Sequence, residues 1–283
     1  MDSLPSDQRQ AILRRNRQTY DVMVDRRAAL CRVATPEELA QPLKTVDVVG
    51  WLGDSIAGEK VLCLAAGGGR QSALYAAAGA QVTVVDISPA MLELDRRVAH
   101  EHGFNIRILE ASMDDLSGLS NDEFDLVIHP VSTCYLPSVT PVFSEVRRVL
   151  RAGGLYVSQH KTPTSLQTST TRDTTGSYSI RHAYYRDTPV PDPDSVSSNS
   201  RRLRESGAVE FLHRWEEIVG GMCRVGFVIE DLIEPLHVKS DSQPDTFGDR
   251  AKFVAPYVRI KARRRSDGGK GNKSDTKLWL PRN

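Results

Sequence analysis

The chain has 283 residues, 37 Lys and Arg against 36 Asp and Glu, and a hydrophobic fraction of 40%. That length admits one large domain or two small ones at about 100–200 residues each, and the cancelled charge gives no support to a globally basic nucleic-acid binder. Cys31, Cys63, Cys134 and Cys223 are scattered without a CxxC pair, which speaks against a disulfide framework and a zinc site.

The N-terminus, MDSLPSDQRQ, has no apolar core for a signal peptide. No run of about 18 apolar residues suggests a membrane span, so a cytoplasmic chain without membrane contact is expected. Ile12, Leu13, Tyr20, Val22, Met23, Val24 and Leu30 suggest one or two helices over 10–31, with an arginine-rich solvated face. Thr35, Pro36 and Glu38 supply a cap, a first-turn proline and a capping acid for a further helix. Residues 1–50 therefore read as an N-terminal helical cap.

A core unit is expected over 51–160. Val61 to Leu64 is an uncharged apolar run, the mark of a strand buried on both faces. The turn AAGGG follows over 65–69, then an alanine-rich helix over 71–78 that Gly79 ends. Val82 to Val85 is a second strand, with Asp86 at its carboxyl end. Ser88 and Pro89 start a helix running to about His102. Strands are expected at 106–109 and 124–128, a helix from Val139 or Thr140 to Leu150 closed by Gly153 and Gly154, and a fifth strand at 155–158. Such alternation implies parallel strands with right-handed crossovers in a doubly wound sheet.

The period breaks after His160. Residues 161–210 read as an insertion or lid, rich in Ser, Thr, Pro, Asp and Arg. The remainder, 211–262, is expected to complete the sheet with a helix at 211–220, a strand in GFVIEDLIEP and a last strand at 253–262. Pro256 in that last strand demands an edge or a bulge. Residues 263–283 read as a disordered tail.

Open parallel sheets bind ligands at the carboxyl ends of their strands. Glycines 67–69 let main chain approach a ligand without a β-carbon in the way. Asp86 stands nineteen residues after Gly67, near the roughly 20 expected of an acid that accepts from a ribose diol.

Several motifs in order carry a family resemblance: VLCLAAGGG, VTVVDIS, ASMDDLS, FDLVIHP and EVRRVLRAGGLYVSQH. Over about residues 61–160 the chain resembles class I S-adenosylmethionine (SAM)-dependent methyltransferases. The resemblance implies an α/β fold with a doubly wound, mostly parallel seven-stranded sheet, N-terminal helices and an insertion after strand five. It also implies SAM as cofactor and S-adenosyl-L-homocysteine as product. Two positions depart from the family pattern: it often carries an acid where Cys63 sits and a glycine where Ala65 sits.

The cofactor residues it implies are Ala65, Ala66, Gly67, Gly69, Asp86, Ile87, Met91, Met113, Asp114 and His129. Ile87 and Met113 are to flank the adenine and Asp114 to accept from its amino group. His129 is either a general base near neutrality or a positioning residue, with a structural, hydrogen-bonded histidine as the bland account. His160 is a second candidate of the same kind, and Lys161 beside it is placed to meet an acidic substrate. Tyr20, Tyr135 and Tyr185 are the candidate acceptor contacts. No metal is expected. The run His129–Pro130–Val131–Ser132 lacks the signature of base-amine methylating enzymes, so a small-molecule acceptor is expected and nucleic acid is not; monomer and homodimer both stay open. Two alternatives stand: an NAD(P)-dependent oxidoreductase, against which AAGGGRQ is not GxGxxG, and a non-catalytic SAM-binding module.

Overall fold

In the computed structural model, residues 5–26, 31–192 and 203–266 are described. The elements in chain order are helices α1 (Ser6–Asp25), α2 (Pro36–Ala40) and α3 (Pro42–Val46), strand β1 (Lys60–Leu64), α4 (Arg70–Ala77), β2 (Gln81–Asp86), α5 (Pro89–His102), β3 (Ile106–Glu110), β4 (Phe124–His129), α6 (Thr140–Val149), β5 (Leu150–Lys161), α7 (Pro163–Gln167), β6 (Phe227–Ile233) and β7 (Tyr257–Arg264).

One seven-stranded sheet runs β3-β2-β1-β4-β5-β7-β6. Strands β1 to β5 pair in parallel, and β7 lies antiparallel between β5 and β6. The order reverses between β1 and β4, which puts the switch point of the sheet at the carboxyl ends of those two strands. Val61, Leu62, Cys63 and Leu64 are all fully buried, because helices cover both faces of a parallel strand. Each such aliphatic side chain contributes about 1.5–3 kcal/mol by leaving water.

Local signals explain the helix starts. The Thr35 hydroxyl accepts from the Glu38 amide while Glu38 accepts from the Thr35 amide, a complete capping box. Ser88 accepts from the Met91 amide, Pro89 follows, and Gly103 closes α5 with φ at +67°. Helix α1 lies over the carboxyl edge of the sheet. Ser88 Oγ donates to Asp21 Oδ1 at 2.6 Å. Asn16 Nδ2 donates to the carbonyls of Tyr135 and Val209, and the Val209 amide donates back to Asn16 Oδ1 at 2.7 Å.

Four expectations need correction. Gly153 and Gly154 do not end a helix; α6 stops at Val149, and the glycines lie in an irregular stretch of β5 where the register jumps from Phe124–Leu150 to Leu126–Leu155. Residues 211–214 are not helical. A π-turn spans Glu216–Gly220 and a short α-turn Gly221–Arg224, because Phe211, Leu212 and His213 are buried from extended chain. The last strand begins after Pro256, whose carbonyl accepts from the Thr162 amide at 3.2 Å, so the proline needs neither edge nor bulge. Arg263 and Arg264 continue β7, where Arg264 donates to the carbonyl of Leu150 and to Asp122; the tail expected beyond 266 lies outside the described residues.

Candidate active site

A cavity of about 490 Å³ opens at the switch point, with the glycine turn and the end of β2 at one end and α1, the loop after β4 and residue 205 at the other. Ala65, Ala66, Gly67, Asp86, Ile87, Met91 and Met113 line it, as do Tyr20 and Tyr135. Asp86 Oδ2 accepts from the Gly67 amide at 3.0 Å and Oδ1 from the Ser88 amide at 2.9 Å. Burial pushes the Asp86 carboxyl above the usual aspartate range, and these amides offset part of the rise. A β-carbon at Gly67 would lie 2.9 Å from Met91 Cβ and 3.0 Å from the Asp86 carboxyl. Only glycine lets the turn close on β2 at that point.

Gly69 is absent from the cavity wall. Its φ is +79°, and a β-carbon there would meet Val98 Cγ2 at 2.9 Å and the Leu94 carbonyl oxygen at 3.0 Å. It packs the turn onto α5. Asp114 is likewise absent from the cavity wall: Arg9 Nη2 donates to it at 2.5 Å, and so does Ser112 Oγ at 2.5 Å.

His129 and His160 sit behind the wall. His129 Nδ1 is 2.7 Å from the Tyr156 hydroxyl and Nε2 is 2.6 Å from Ser132 Oγ. Burial pushes its pKa down to about 3, so the ring is neutral and both nitrogens are engaged. His160 bridges Thr133 Oγ1 and Ser158 Oγ, each at 2.8 Å, and burial lowers it too. Both geometries match the structural-histidine account. Tyr185 is 78% exposed, packed against Tyr184 and Arg214 and outside the cavity. Lys161 is buried, and its ammonium donates to the Leu203 carbonyl, Glu205 and Glu210. Those three bonds use its three protons, so it offers none to a substrate.

Other residues enter that motif reading did not single out. Gln71 Oε1 and Arg70 Nε are buried polar atoms without a hydrogen-bond partner, and both residues line the cavity beside the glycine turn. A buried acceptor and a buried donor left open at one end of a cavity fit a ligand bearing an ammonium and a carboxylate. Their signal was position, since they are the first two residues after GGG. Asp95 is fully buried on α5 and accepts from the Gly68 amide at 2.9 Å and from Ser72 Oγ. Its signal was its place in the apolar stripe of Met91 and Val98, at helical spacing. Glu205 and Tyr257, far apart in the chain, also reach the cavity, and no local pattern marks either.

Among the described residues no cluster of three or more His, Cys, Asp or Glu is placed to hold a metal. No helix there is long and apolar enough to cross a membrane.

Comparison with known proteins agrees with this architecture. A methyltransferase domain model matches residues 62–158. The uncharacterized methyltransferase YbaJ of Bacillus subtilis is 35% identical over 181 residues, 63% of this chain and 69% of its own length. The ubiquinone biosynthesis O-methyltransferase of Xanthomonas oryzae is 31% identical over 110 residues, 38% of this chain and 46% of its own. Among solved structures, an S-adenosylmethionine-dependent methyltransferase from Mesorhizobium loti superposes with a TM-score of 0.60 at 22% identity, over 80% of this chain and 100% of that one. With its glycine turn, β2 acid and β3-β2-β1-β4-β5-β7-β6 sheet, the chain belongs to the class I SAM-dependent methyltransferase family.

Proposed function

We propose that the protein transfers the methyl group of SAM to a small-molecule acceptor held between α1, the loop after β4 and residue 205. The observation that carries this reading is the continuity of one cavity from Gly67 and Asp86 to Tyr20, Tyr135 and Glu205. The family's cofactor supplies an electrophilic methyl on a sulfonium, a good leaving group.

Each residue has a separable task. Asp86 accepts from the ribose diol, held in place by the Gly67 and Ser88 amides. Ile87 and Met113 flank the adenine with apolar surface, and Met91 packs beneath the turn. Gln71 Oε1 accepts from the α-ammonium, and Arg70 Nε donates to the α-carboxylate. Such pairing relieves two buried unsatisfied groups, each costing about 1–3 kcal/mol. Asp114 reaches the adenine amino group only if Arg9 releases it. Tyr20, Tyr135 and the apolar wall of Leu13, Val131 and Leu136 hold the acceptor and exclude water, so much of the acceleration comes from alignment.

The domain reading follows the same division. Residues 51–160 bind the cofactor, and α1 with the 161–210 insertion builds the acceptor end. Family membership removes the nicotinamide alternative. Isothermal titration with SAM and with S-adenosylhomocysteine is the direct test. One site at micromolar affinity is expected, and no heat at millimolar ligand would end the reading. A binding module without catalysis predicts that affinity but no S-adenosylhomocysteine across an acceptor panel.

A further inference from the structure

The acceptor end of the cavity has a distinct charge pattern. Four ionisable side chains meet there: Lys161 with Glu205 and Glu210, and Arg204 with Glu210. Their charges balance in number, yet only Glu205 of the four lines the cavity. Lys161 Nζ donates to Glu205 Oε2 at 2.8 Å and spends its other protons on the Leu203 carbonyl and Glu210. Arg204 is turned to Glu210 and the carbonyls of Val190 and Pro191. Burial works against charge on Glu205, but the neighbouring Lys161 ammonium outweighs it and keeps the carboxyl below the usual range.

Aromatic side chains surround this carboxylate. The Tyr135 hydroxyl donates to Glu205 Oε2 at 2.6 Å, and Tyr20 meets the Tyr135 ring edge to face at 5.5 Å. Tyr257 completes the wall. Burial holds the Tyr20 and Tyr135 phenols well above their ordinary pKa, so they stay neutral. A ligand entering past the glycine turn therefore meets one negative charge and three phenol rings. Lys161 pairs with Glu205 from behind the wall, its protons already spent, and it is not among the residues that line the cavity there. An anionic ligand would face the Glu205 carboxylate, with no proton of Lys161 left to donate to it. An ammonium would gain a charge-assisted hydrogen bond and the negative faces of the rings.

We propose that this end of the cavity is a recognition site for a protonated amine, with Glu205 as its counter-ion and Tyr20, Tyr135 and Tyr257 as its aromatic walls. The site selects an amine-bearing acceptor, and the ammonium is the handle by which it is held, whichever atom takes the methyl. The inference rests on the cofactor reading above, because the bound cofactor fills the other end.

Matched probes test it. Tyramine is compared with 3-(4-hydroxyphenyl)propionate, and phenethylamine with 3-phenylpropionate, by ligand-observed NMR on the full chain saturated with S-adenosylhomocysteine. Both amines are expected to bind at least about tenfold more tightly than the matched acids. Glu205→Gln should abolish that preference. Because it leaves Lys161 short of a partner, the double variant Glu205→Gln/Lys161→Gln is made alongside it, with S-adenosylhomocysteine binding as the measure of folding. Acids binding as well as amines, no probe binding at all, or a preference surviving in either folded variant would each overturn the proposal. Failure of the wild-type chain to bind S-adenosylhomocysteine would instead overturn the cofactor reading.

Discussion

Asp95 Oδ2 accepts the Gly68 amide at 2.9 Å, so the glycine turn is held by a carboxylate from α5 and not from β1. In the family an acid often stands at the position of Cys63, which here is a fully buried thiol. Asp95 is near enough to that thiol to help raise its pKa, after burial itself. In this chain the carboxylate beside the turn thus comes from α5. Gly68 in the turn and Ser72 in the first turn of α4 share it.

Removing that carboxylate should change how stability depends on pH. Burial raises Asp95 to about 6 from its ordinary 3.8, against the Ser72 and Gly68 hydrogen bonds. Between those values the native protein binds more protons than the unfolded chain. The group's stabilising contribution is therefore full below about pH 4 and is lost as pH rises through 6. With about 1.36 kcal/mol per unit, the stability of the native chain relative to Asp95→Asn should fall by about 2 kcal/mol between pH 4 and pH 7. Urea unfolding across that range measures it; a difference independent of pH would contradict the assignment.

Gly67→Ala should strike binding more than folding. The added methyl meets Met91 Cβ and the Asp86 carboxyl at 2.9–3.0 Å, and relief comes by pushing Asp86 off its Gly67 and Ser88 amides. Affinity for S-adenosylhomocysteine is expected to drop by at least about tenfold, about 1.4 kcal/mol. Gly69→Ala differs, since φ is +79° and the obstruction is α5 itself; it should lower the melting temperature first. Calorimetry on both variants separates the two outcomes.

The contrast between those glycines shows what the sequence discloses. Apolar runs, caps and the AAGGG turn announce β1, α4, β2 and α5, because each depends on contacts within a few residues. Which glycine faces ligand and which faces helix depends on how α5 crosses the turn, and that is decided by Val98 and Leu94, nearly thirty residues on. His129 misleads for a related reason. A histidine at the carboxyl end of a strand looks like a base, and only Tyr156 and Ser132 reveal it as enclosed. Glu205 lies beyond an aperiodic stretch, so only the fold brings it to Tyr135.

His129 should behave as structure. Its pKa falls from 6.5 to about 3 through burial, so the native ring stays neutral while the unfolded chain takes up a proton below 6.5. Its contribution to stability is full above that value and is lost as pH falls toward 3. In His129→Phe the slope of stability between pH 6.5 and pH 4 should flatten. At pH 8 the variant should lose about 0.5–1.5 kcal/mol for each hydrogen bond removed, since Ser132 Oγ keeps the Pro130 carbonyl as its acceptor. Methyl transfer by the native enzyme should show no limb near pH 6.5 attributable to this ring; a limb that disappears in the variant while its fold persists would restore the catalytic role.

Ala65 holds the reverse lesson about glycine. Its φ is +47°, a left-handed conformation that costs an alanine about 1–2 kcal/mol. The Ala65 amide donates to the Val85 carbonyl at 2.8 Å, so the turn is fixed there and the alanine has to bear the strain. In Ala65→Gly the strain is relieved, while the greater freedom of glycine in the unfolded chain takes back about 0.4–1 kcal/mol. A net gain of about 0.5–1 kcal/mol in unfolding free energy is expected, with S-adenosylhomocysteine affinity changed by less than about threefold. If the variant is instead less stable, the methyl group contributes more by packing than it costs in backbone strain. Position 65 would then be an alanine chosen for the wall of the cavity and not a glycine position imperfectly filled.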